Sequence, residues 1–223
     1  MRVIDYRSLL ERRHRRSILE GLSRAGGVIR FSELCRSIKM PKSSLEYNLT
    51  VLEGRGIIKR EGGLIKLQYT TPLGYIFDSP SAYAYLGLLG ERGERTESET
   101  ETAINLLREE GIFFEKIVIV TTHRAVADWE NLNHLNVEWC LLSDEGISRV
   151  ETVEKSVESR LVELIRIYKV IMDCTSATKP ATIAYYRLAT RFKVPLVYIY
   201  EKKRERIWVI SKKDLERELL GNP

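Results

Sequence analysis

Small hydroxyl residues and a lysine follow an apolar run in the stretch DCTSATKP, at residues 173–180. The run KVIMDC predicts a buried strand, and the residues from Lys179 onward predict a helix. Hydroxyls and free backbone N–H groups between a strand and a helix bind phosphate or ribose oxygens, and a lysine at the helix start adds positive charge. The stretch therefore predicts a site for a phosphorylated ligand; the alternative is a tight turn whose Thr and Ser residues only cap the following helix. The expected contacts are Thr175, Ser176, Ala177, Thr178 and Lys179.

Two other predicted strands end in residues suited to the same ligand. YLGLLG places glycines at the end of one strand, and VIVTTH ends the next in hydroxyls and a histidine. The carboxyl ends of parallel strands share one edge of a sheet, so these residues are predicted to lie near DCTSATKP. They are Gly87, Leu88, Gly90, Thr121, Thr122 and His123.

Cofactor chemistry finds little support in the sequence. The glycines do not follow GxGxxG, and no acidic residue stands at the distance that a ribose would need, so a nicotinamide cofactor is not expected. His123 and His134 have no carboxylate or thiolate at metal-ligand spacing, so no metal site is expected either.

The elements around these motifs alternate between strand and helix from about residue 83 onward. Continuous apolar runs such as EKIVIVTT and PLVYIY are separated by amphipathic runs such as VETVEKSVESRLVELIRIY. This alternation predicts an α/β domain with a mostly parallel, Rossmann-like sheet covered on both faces. The segment RIWVIS is expected to add an antiparallel strand, and KKDLERELL a last helix.

The N-terminal third has a different pattern. RSLLERRHRRSILEGLSRAGG predicts one helix, and two shorter helices follow, the last with a capping box at Ser43 and Glu46. GIIKREGGLIKL predicts a hairpin around Gly62 and Gly63. The order predicts a winged helix-turn-helix, and SSLEYNLTVLEGRGIIKREGGLIKLQYTTPLG resembles the recognition helix, wing and closing element of archaeal and bacterial winged-helix regulators.

Charge is concentrated in this third of the chain. Residues 1–80 carry 15 Lys and Arg against 8 Asp and Glu, whereas the remaining residues carry 21 against 23. A basic winged helix predicts binding of double-stranded DNA, with solvated charges on a protein-binding module as the alternative. The DNA contacts are expected from Lys42, Ser43, Ser44, Tyr47, Asn48 and Arg55 on the third helix and from Lys59, Arg60 and Lys66 on the hairpin.

A second resemblance concerns the α/β half. KVIMDCTSATKPATIAYYRLATRFKVPLVYIY, together with YLGLLG and VIVTT, resembles the CRISPR-associated Rossmann-fold (CARF) sensor domains over about residues 83–211. The resemblance implies a homodimer that binds a cyclic oligoadenylate second messenger across its two-fold axis. Some members cleave this messenger. Lys179 would then stabilise the charge that develops on the phosphate, and otherwise no catalytic residue is expected.

The sequence thus predicts a winged helix-turn-helix domain at residues 1–76, a linker at 77–82 and a CARF-type ligand-binding and dimerisation domain at 83–223. The predicted function is a ligand-responsive transcription regulator of a CRISPR-type defence system. The alternatives are a ring nuclease that cleaves cyclic oligoadenylate and a winged-helix repressor that senses another nucleotide. The apolar runs are too short to span a bilayer, and the N-terminus lacks the apolar core of a signal peptide, so a cytoplasmic protein without a membrane partner is expected.

Overall fold

The computed structural model describes residues 4–176, 178–200 and 203–221. The chain forms two compact units. The first comprises Met1–Ser81, Ile165–Lys169 and Lys212–Pro223, and the second comprises Ala82–Leu164 and Val170–Ser211. The predicted functional domains at residues 1–76 and 83–223 stay a prediction. The compact units are defined by contacts and combine segments that are distant in sequence, so they do not test these boundaries.

The first unit is built on short helices around an aliphatic core. The core includes Ile18, Leu22, Leu34, Leu45 and Leu49, all fully buried. The helices are α1 (Tyr6–Leu10), α2 (Arg13–Arg24), α3 (Phe31–Ile38), α4 (Lys42–Gly54), α5 (Leu73–Ile76) and, from the C-terminus, α11 (Lys212–Leu220).

The structure corrects the prediction of one long helix at the N-terminus. The Asp5 side chain accepts a hydrogen bond from the Ser8 N–H (3.1 Å) at the start of α1, and the chain becomes extended at Arg12 before α2 begins. α1 packs against α11, whereas α2 packs against α3 and α4. Because the chain breaks here, the apolar surfaces of α1 and α2 can each be buried against a different partner. The break also places a run of arginines at the start of α2.

The start of α4 also differs from the prediction. The helix begins directly after Pro41, whose carbonyl accepts the Leu45 N–H (2.9 Å), so Ser43 already lies inside the first turn and does not cap it. Proline has a backbone φ that suits the edge of a helix. The Glu46 carboxylate contacts Arg60 instead of closing a capping box.

A three-stranded antiparallel sheet completes the first unit. β1 (Val28–Arg30), β2 (Ile58–Glu61) and β3 (Leu64–Leu67) lie in the order β1-β3-β2. Glu61 pairs with Leu64 across a two-residue turn in which Gly62 and Gly63 have φ of 59° and 77°. Positive φ at both turn positions is the geometry that favours glycine in a tight hairpin. The predicted hairpin is therefore present.

The second unit is an α/β fold. Its strands are β4 (Tyr83–Leu88), β5 (Phe114–Thr122), β6 (Val137–Leu142), β7 (Lys169–Asp173), β8 (Leu196–Tyr200) and β9 (Glu205–Ile210). Its helices are α6 (Glu99–Glu109), α7 (His123–Asp128), a 3₁₀ helix (Glu130–Leu135), α8 (Asp144–Ile147), α9 (Val150–Ile167) and α10 (Lys179–Phe192). Most residues of β4 and all of β7 are buried, which accounts for their continuous apolar sequences.

The six strands form one sheet in the order β6-β5-β4-β7-β8-β9. β4 with β5, β5 with β6 and β7 with β8 run parallel, and β9 runs antiparallel to β8. The prediction of a mostly parallel, Rossmann-like sheet with an antiparallel final strand is confirmed. Over the described residues, none of the helices has the length and apolar character needed to span a bilayer.

Candidate functional site

The strand order places a topological switch point between β4 and β7. The chain proceeds from β4 to β5 and β6 on one side and then returns to β7 on the other side of β4. In such sheets ligands bind where the loops diverge, beyond the carboxyl ends of the two central strands. The loops that follow β4 and β7 meet there.

A cleft of about 460 Å³ opens at this point, which we call the switch-point cleft. Its volume lies in the range of small-ligand sites. The cleft is lined by Leu89, Gly90, Glu91, Arg95, Glu99, Thr122, Arg124, Ala125, Asp144, Ile147, Ser148, Thr175, Ser176 and Thr178.

Five residues predicted to bind the ligand line the cleft together. They are Gly90, Thr122, Thr175, Ser176 and Thr178. The predicted site therefore draws on the loops after three different strands, β4, β5 and β7.

The remaining predicted ligand residues lie elsewhere. Leu88 is buried inside β4, and the buried Thr121 hydroxyl donates to the Leu89 carbonyl (2.8 Å). His123 and Lys179 are exposed at the starts of α7 and α10, outside the lining of the cleft. Ala177 lies outside the described residues.

Gly87 leaves room for an aromatic ring. A Cβ atom at this position would lie 2.3 Å from a ring carbon of Tyr85 and 2.7 Å from its hydroxyl oxygen. The Tyr85 ring thus lies along the strand over Gly87, and its hydroxyl reaches Asp173 on β7. The glycine therefore allows the hydrogen bond between Tyr85 and Asp173 that links the two central strands, β4 and β7.

Asp173 organises the first turn of the DCTSATKP loop. Its Oδ1 accepts the Thr175 N–H (2.9 Å) and the Thr175 hydroxyl, while Oδ2 accepts the Tyr85 hydroxyl. Complete burial raises the pKa of the Asp173 carboxyl to about 6, although the hydrogen bonds from Thr175 and Tyr85 oppose this shift. The buried carboxyl thus holds the loop in one conformation.

The hydroxyl groups of this loop already have partners within the protein. Thr175 Oγ1 also accepts the Ile199 N–H (2.8 Å). Thr178 Oγ1 caps α10 by accepting the Ala181 N–H (3.3 Å), and it donates to the Ile147 carbonyl (2.8 Å). Both threonines therefore shape the cleft wall, and a ligand oxygen would share or replace these bonds.

Charges of both signs line the cleft. The buried Ser176 hydroxyl donates to the Glu99 carboxylate, which also pairs with Arg95 (3.2 Å). Arg124, which also lines the cleft, pairs with Glu91 (3.5 Å). The two guanidinium groups are suited to a phosphate, provided that the ligand competes with these carboxylates.

The loop after β4 is anchored at Gly90. The Trp129 indole N–H donates to the Gly90 carbonyl (2.9 Å), and the Arg92 guanidinium stacks on the Trp129 ring (5.4 Å). A Cβ atom at Gly90 would find only the Ser176 carbonyl oxygen at 3.7 Å. The hydrogen bond from Trp129 thus fixes the backbone at Gly90, and the absence of a side chain leaves space beside it for a ligand.

A second concave surface lies on the first unit. This groove of about 830 Å³ is lined by Arg12, Arg13, His14 and Arg15 from the start of α2 and its approach, and by Ser43, Ser44, Tyr47 and Asn48 from α4. We call it the arginine groove. It brings together four of the predicted DNA-binding residues. Asn48, expected on the exposed face, is 8% exposed, and its amide donates to the Ser44 carbonyl (2.8 Å).

The other predicted DNA-binding residues lie outside this groove. Lys42 and Arg55 are exposed on and just after α4. On the hairpin, the Arg60 guanidinium contacts Glu46 and Glu53, and both Lys59 and Lys66 lie within 4 Å of Glu61. The hairpin cations are thus partly neutralised.

Sequence analysis missed the charged side chains of both sites. Arg95, Glu99 and Arg124 belong to segments without a recognisable motif, and only the sheet brings them to the cleft. The cluster RRHRR was visible, but its position depends on the break before α2. Among the described residues, no group of three or more His, Cys, Asp and Glu side chains is arranged to hold a metal ion.

No protein-family model matches the chain, and no curated protein matches it. Solved structures that match part of the chain include protein VC1899 from Vibrio cholerae, with a TM-score of 0.45 and 9% identity over 58% of this chain and 34% of that one. Another is Enterococcus italicus Csm6 bound to cyclic hexa-2'-fluoro-hexa-dAMP, with a TM-score of 0.44 and 10% identity over 62% of this chain and 39% of that one. The chain spans less than half the length of either protein.

Proposed function

We propose that this protein is a ligand-responsive DNA-binding regulator. Its α/β unit binds a cyclic oligoadenylate in the switch-point cleft, and its N-terminal unit binds double-stranded DNA as a winged helix-turn-helix. The observation that carries the proposal is that Thr175, Ser176 and Thr178 of DCTSATKP, the motif that resembles CARF domains, line the switch-point cleft beside Gly90.

The chemistry of the cleft suits a phosphodiester ligand. Arg95 and Arg124 supply guanidinium groups, and Thr122, Ser176 and Thr178 supply hydroxyls beside them. Lys179, at the start of α10, adds a cation at the rim. The ligand phosphates would displace Glu91 and Glu99 from their arginine partners, so binding and rearrangement of the loop after β4 would be coupled.

The DNA-binding role is supported by the order of elements and by charge. α3 and α4 are followed by the β2–β3 hairpin, and the exposed side of α4 carries Tyr47, which is 67% exposed. An α-helix with a polar face fits the major groove of B-DNA. We assign base and phosphate contacts to α4 and further backbone contacts to the basic residues around it.

Homodimer formation is supported by an apolar surface on the second unit. A groove of about 370 Å³ is lined by Cys174, Thr182, Ile183, Tyr186, Leu196, Tyr198 and Val209. Ile207 on β9 lies beside it and is 44% exposed. Because α10 starts at the switch-point cleft and continues along this groove, a second copy docked here would lie next to the bound ligand.

Regulation follows from this arrangement if the ligand binds one dimer geometry more tightly than another. Only such a difference in affinity shifts a conformational equilibrium and changes the DNA affinity.

The proposal is tested by calorimetric titration of the full chain with cyclic tetra-adenylate and cyclic hexa-adenylate. We expect one ligand per dimer and a loss of at least about tenfold in affinity for Arg124→Ala and for Lys179→Ala, each of which removes one charge-assisted contact. Lys155→Ala, which replaces an exposed lysine on α9, is the matched control.

Chromatography of the recovered ligand separates binding from cleavage, since intact ligand excludes the ring nuclease. Absence of heat and of a thermal shift with both ligands would refute the proposal.

A further inference from the structure

The arginine groove differs from the other charged surfaces of the protein in its lining. Arg12, Arg13, His14 and Arg15 form one wall, and the hydroxyls of Ser43, Ser44 and Tyr47 lie on the other. No carboxylate lines it among the described residues. A concave surface with cations on one side and hydroxyls on the other is suited to an anion with several oxygens.

In the described part of the chain, the positive charge of this groove is not compensated by carboxylates in its lining. Within residues 4–176, 178–200 and 203–221, none of the salt bridges found involves Arg12, Arg13 or Arg15. By contrast, Arg24 at the other end of α2 pairs with Glu20 (2.8 Å), and Arg60 on the hairpin pairs with two glutamates.

One guanidinium of the groove also has an unsatisfied donor. The Nε atom of Arg15 is buried, and no hydrogen-bond partner for it is found in the part of the chain that the structure describes. A buried donor without a partner is unfavourable, so a rearrangement of the Arg15 side chain that brings this atom to a ligand oxygen would remove the penalty.

We propose that the arginine groove binds the sugar-phosphate backbone of double-stranded DNA and provides the main phosphate contacts of the protein, ahead of the β2–β3 hairpin. This inference rests on the proposed function of α4 as the helix that enters the major groove. When α4 lies in the major groove of the DNA, the start of α2 lies against the neighbouring phosphates. Guanidinium groups can bind these phosphates bidentately.

The geometry favours duplex DNA over duplex RNA. In the proposed complex, α4 enters the major groove and the start of α2 contacts the phosphates beside it. The major groove of B-DNA is about 12 Å wide and admits a helix, whereas that of A-form RNA is deep and narrow.

The test is the salt dependence of binding of the full chain to a labelled DNA duplex, measured by fluorescence anisotropy. Arg12→Ala combined with Arg13→Ala is compared with Lys59→Ala combined with Lys66→Ala, which removes the same charge from the hairpin. We expect the arginine pair to lower the slope of log affinity against log salt by about 2 and the lysine pair to lower it by less. Arg12→Lys with Arg13→Lys retains the charge and should restore the slope. The thermal midpoint of the arginine variants should stay unchanged because both residues are exposed.

The outcomes separate this inference from the proposed function. If the wild type binds duplex DNA and the arginine pair loses no more than the lysine pair, the inference is wrong and the DNA-binding proposal stands. If the wild type binds no duplex DNA at low salt, both are wrong. Tighter binding of duplex RNA through the same arginines would overturn the assignment to DNA.

Discussion

At the residue scale, Gly87 shows how a small side chain can support a site without lining it. Its missing Cβ gives the Tyr85 ring the space to lie along β4 and to reach the Asp173 carboxyl. That carboxyl in turn holds Thr175 at the edge of the switch-point cleft. The glycine therefore acts on the site through two buried side chains.

This arrangement predicts different effects for two glycines near the end of the same strand. Gly87→Ala would force the buried Tyr85 ring to move, and we expect it to lower the free energy of unfolding by about 1–3 kcal/mol. Gly90→Ala is the control, since its Cβ would meet only the Ser176 carbonyl at an ordinary contact distance of 3.7 Å; we expect a change below about 0.5 kcal/mol. Urea unfolding of both variants measures the difference, and equal losses would contradict this account of Gly87.

At the scale of elements, the bond between Tyr85 and Asp173 joins β4 to β7 at the switch point. Burial first, and then the neighbouring Asp173, raise the pKa of Tyr85, so its hydroxyl stays protonated and donates. In the first unit, Arg60 has a comparable structural role because it contacts Glu53 and Glu46 and so ties β2 to α4. Its hydrogen bonds lower the pKa of Glu53. The Tyr85–Asp173 hydrogen bond and the contacts of Arg60 therefore connect elements that are adjacent in space and separate in sequence.

The raised pKa of Asp173 predicts a specific dependence of stability on pH. The carboxyl has a pKa of about 6 in the folded protein against 3.8 in an unperturbed carboxyl. Between these values only the folded state holds the proton, so the stability that Asp173 contributes is fully present below pH 3.8 and is lost as the pH rises through 6. Relative to Asp173→Asn, we expect the free energy of unfolding of the wild type to fall by about 3 kcal/mol over this range.

Urea unfolding at a series of pH values tests this expectation. The asparagine variant is a suitable reference because its side chain does not ionise, and the Tyr85 hydroxyl can accept a hydrogen bond from its amide. Parallel pH profiles for the two proteins would show that Asp173 does not titrate as its burial implies.

At the scale of the whole molecule, the proposed function requires two copies of the chain. The apolar surface formed by α10, β8 and β9 exposes Ile183, Tyr186, Tyr198, Ile207 and Val209, each at least 37% accessible. Tyr198 and Ile207 are directly paired across the β8–β9 ladder. An exposed apolar cluster of this kind typically marks an interface.

We expect charge introduced into this surface to separate the copies. Tyr186→Lys combined with Ile207→Lys should halve the mass measured by size-exclusion chromatography with light scattering, since two buried charges without partners oppose association. Phe113→Lys is the control because Phe113 is 68% exposed and lies on a different segment of the same unit. A dimer that persists in the double variant would place the interface elsewhere.

The sequence by itself determined the strands and main helices of the second unit and the region of the candidate site. Alternating apolar and amphipathic runs specify β4 to β9 and their helices, because hydrophobic periodicity is a local property. The Gly62-Gly63 turn is likewise specified by residues that favour positive φ. A hydroxyl-rich loop after β7 lies at a ligand-binding edge in any parallel sheet, so DCTSATKP indicated the cleft before its walls were known.

Only the tertiary structure decided how the site residues are used. Ser176 meets Glu99 from a position 77 residues away, and Thr175 and Thr178 are committed to the protein's own backbone and carboxylates. The break before α2, which places Arg12 and Arg13 beside α4, follows from helix packing partners that no local pattern reveals. Such pairings depend on which segments the folded chain brings together, and the free energy that selects them comes from burial across the whole unit.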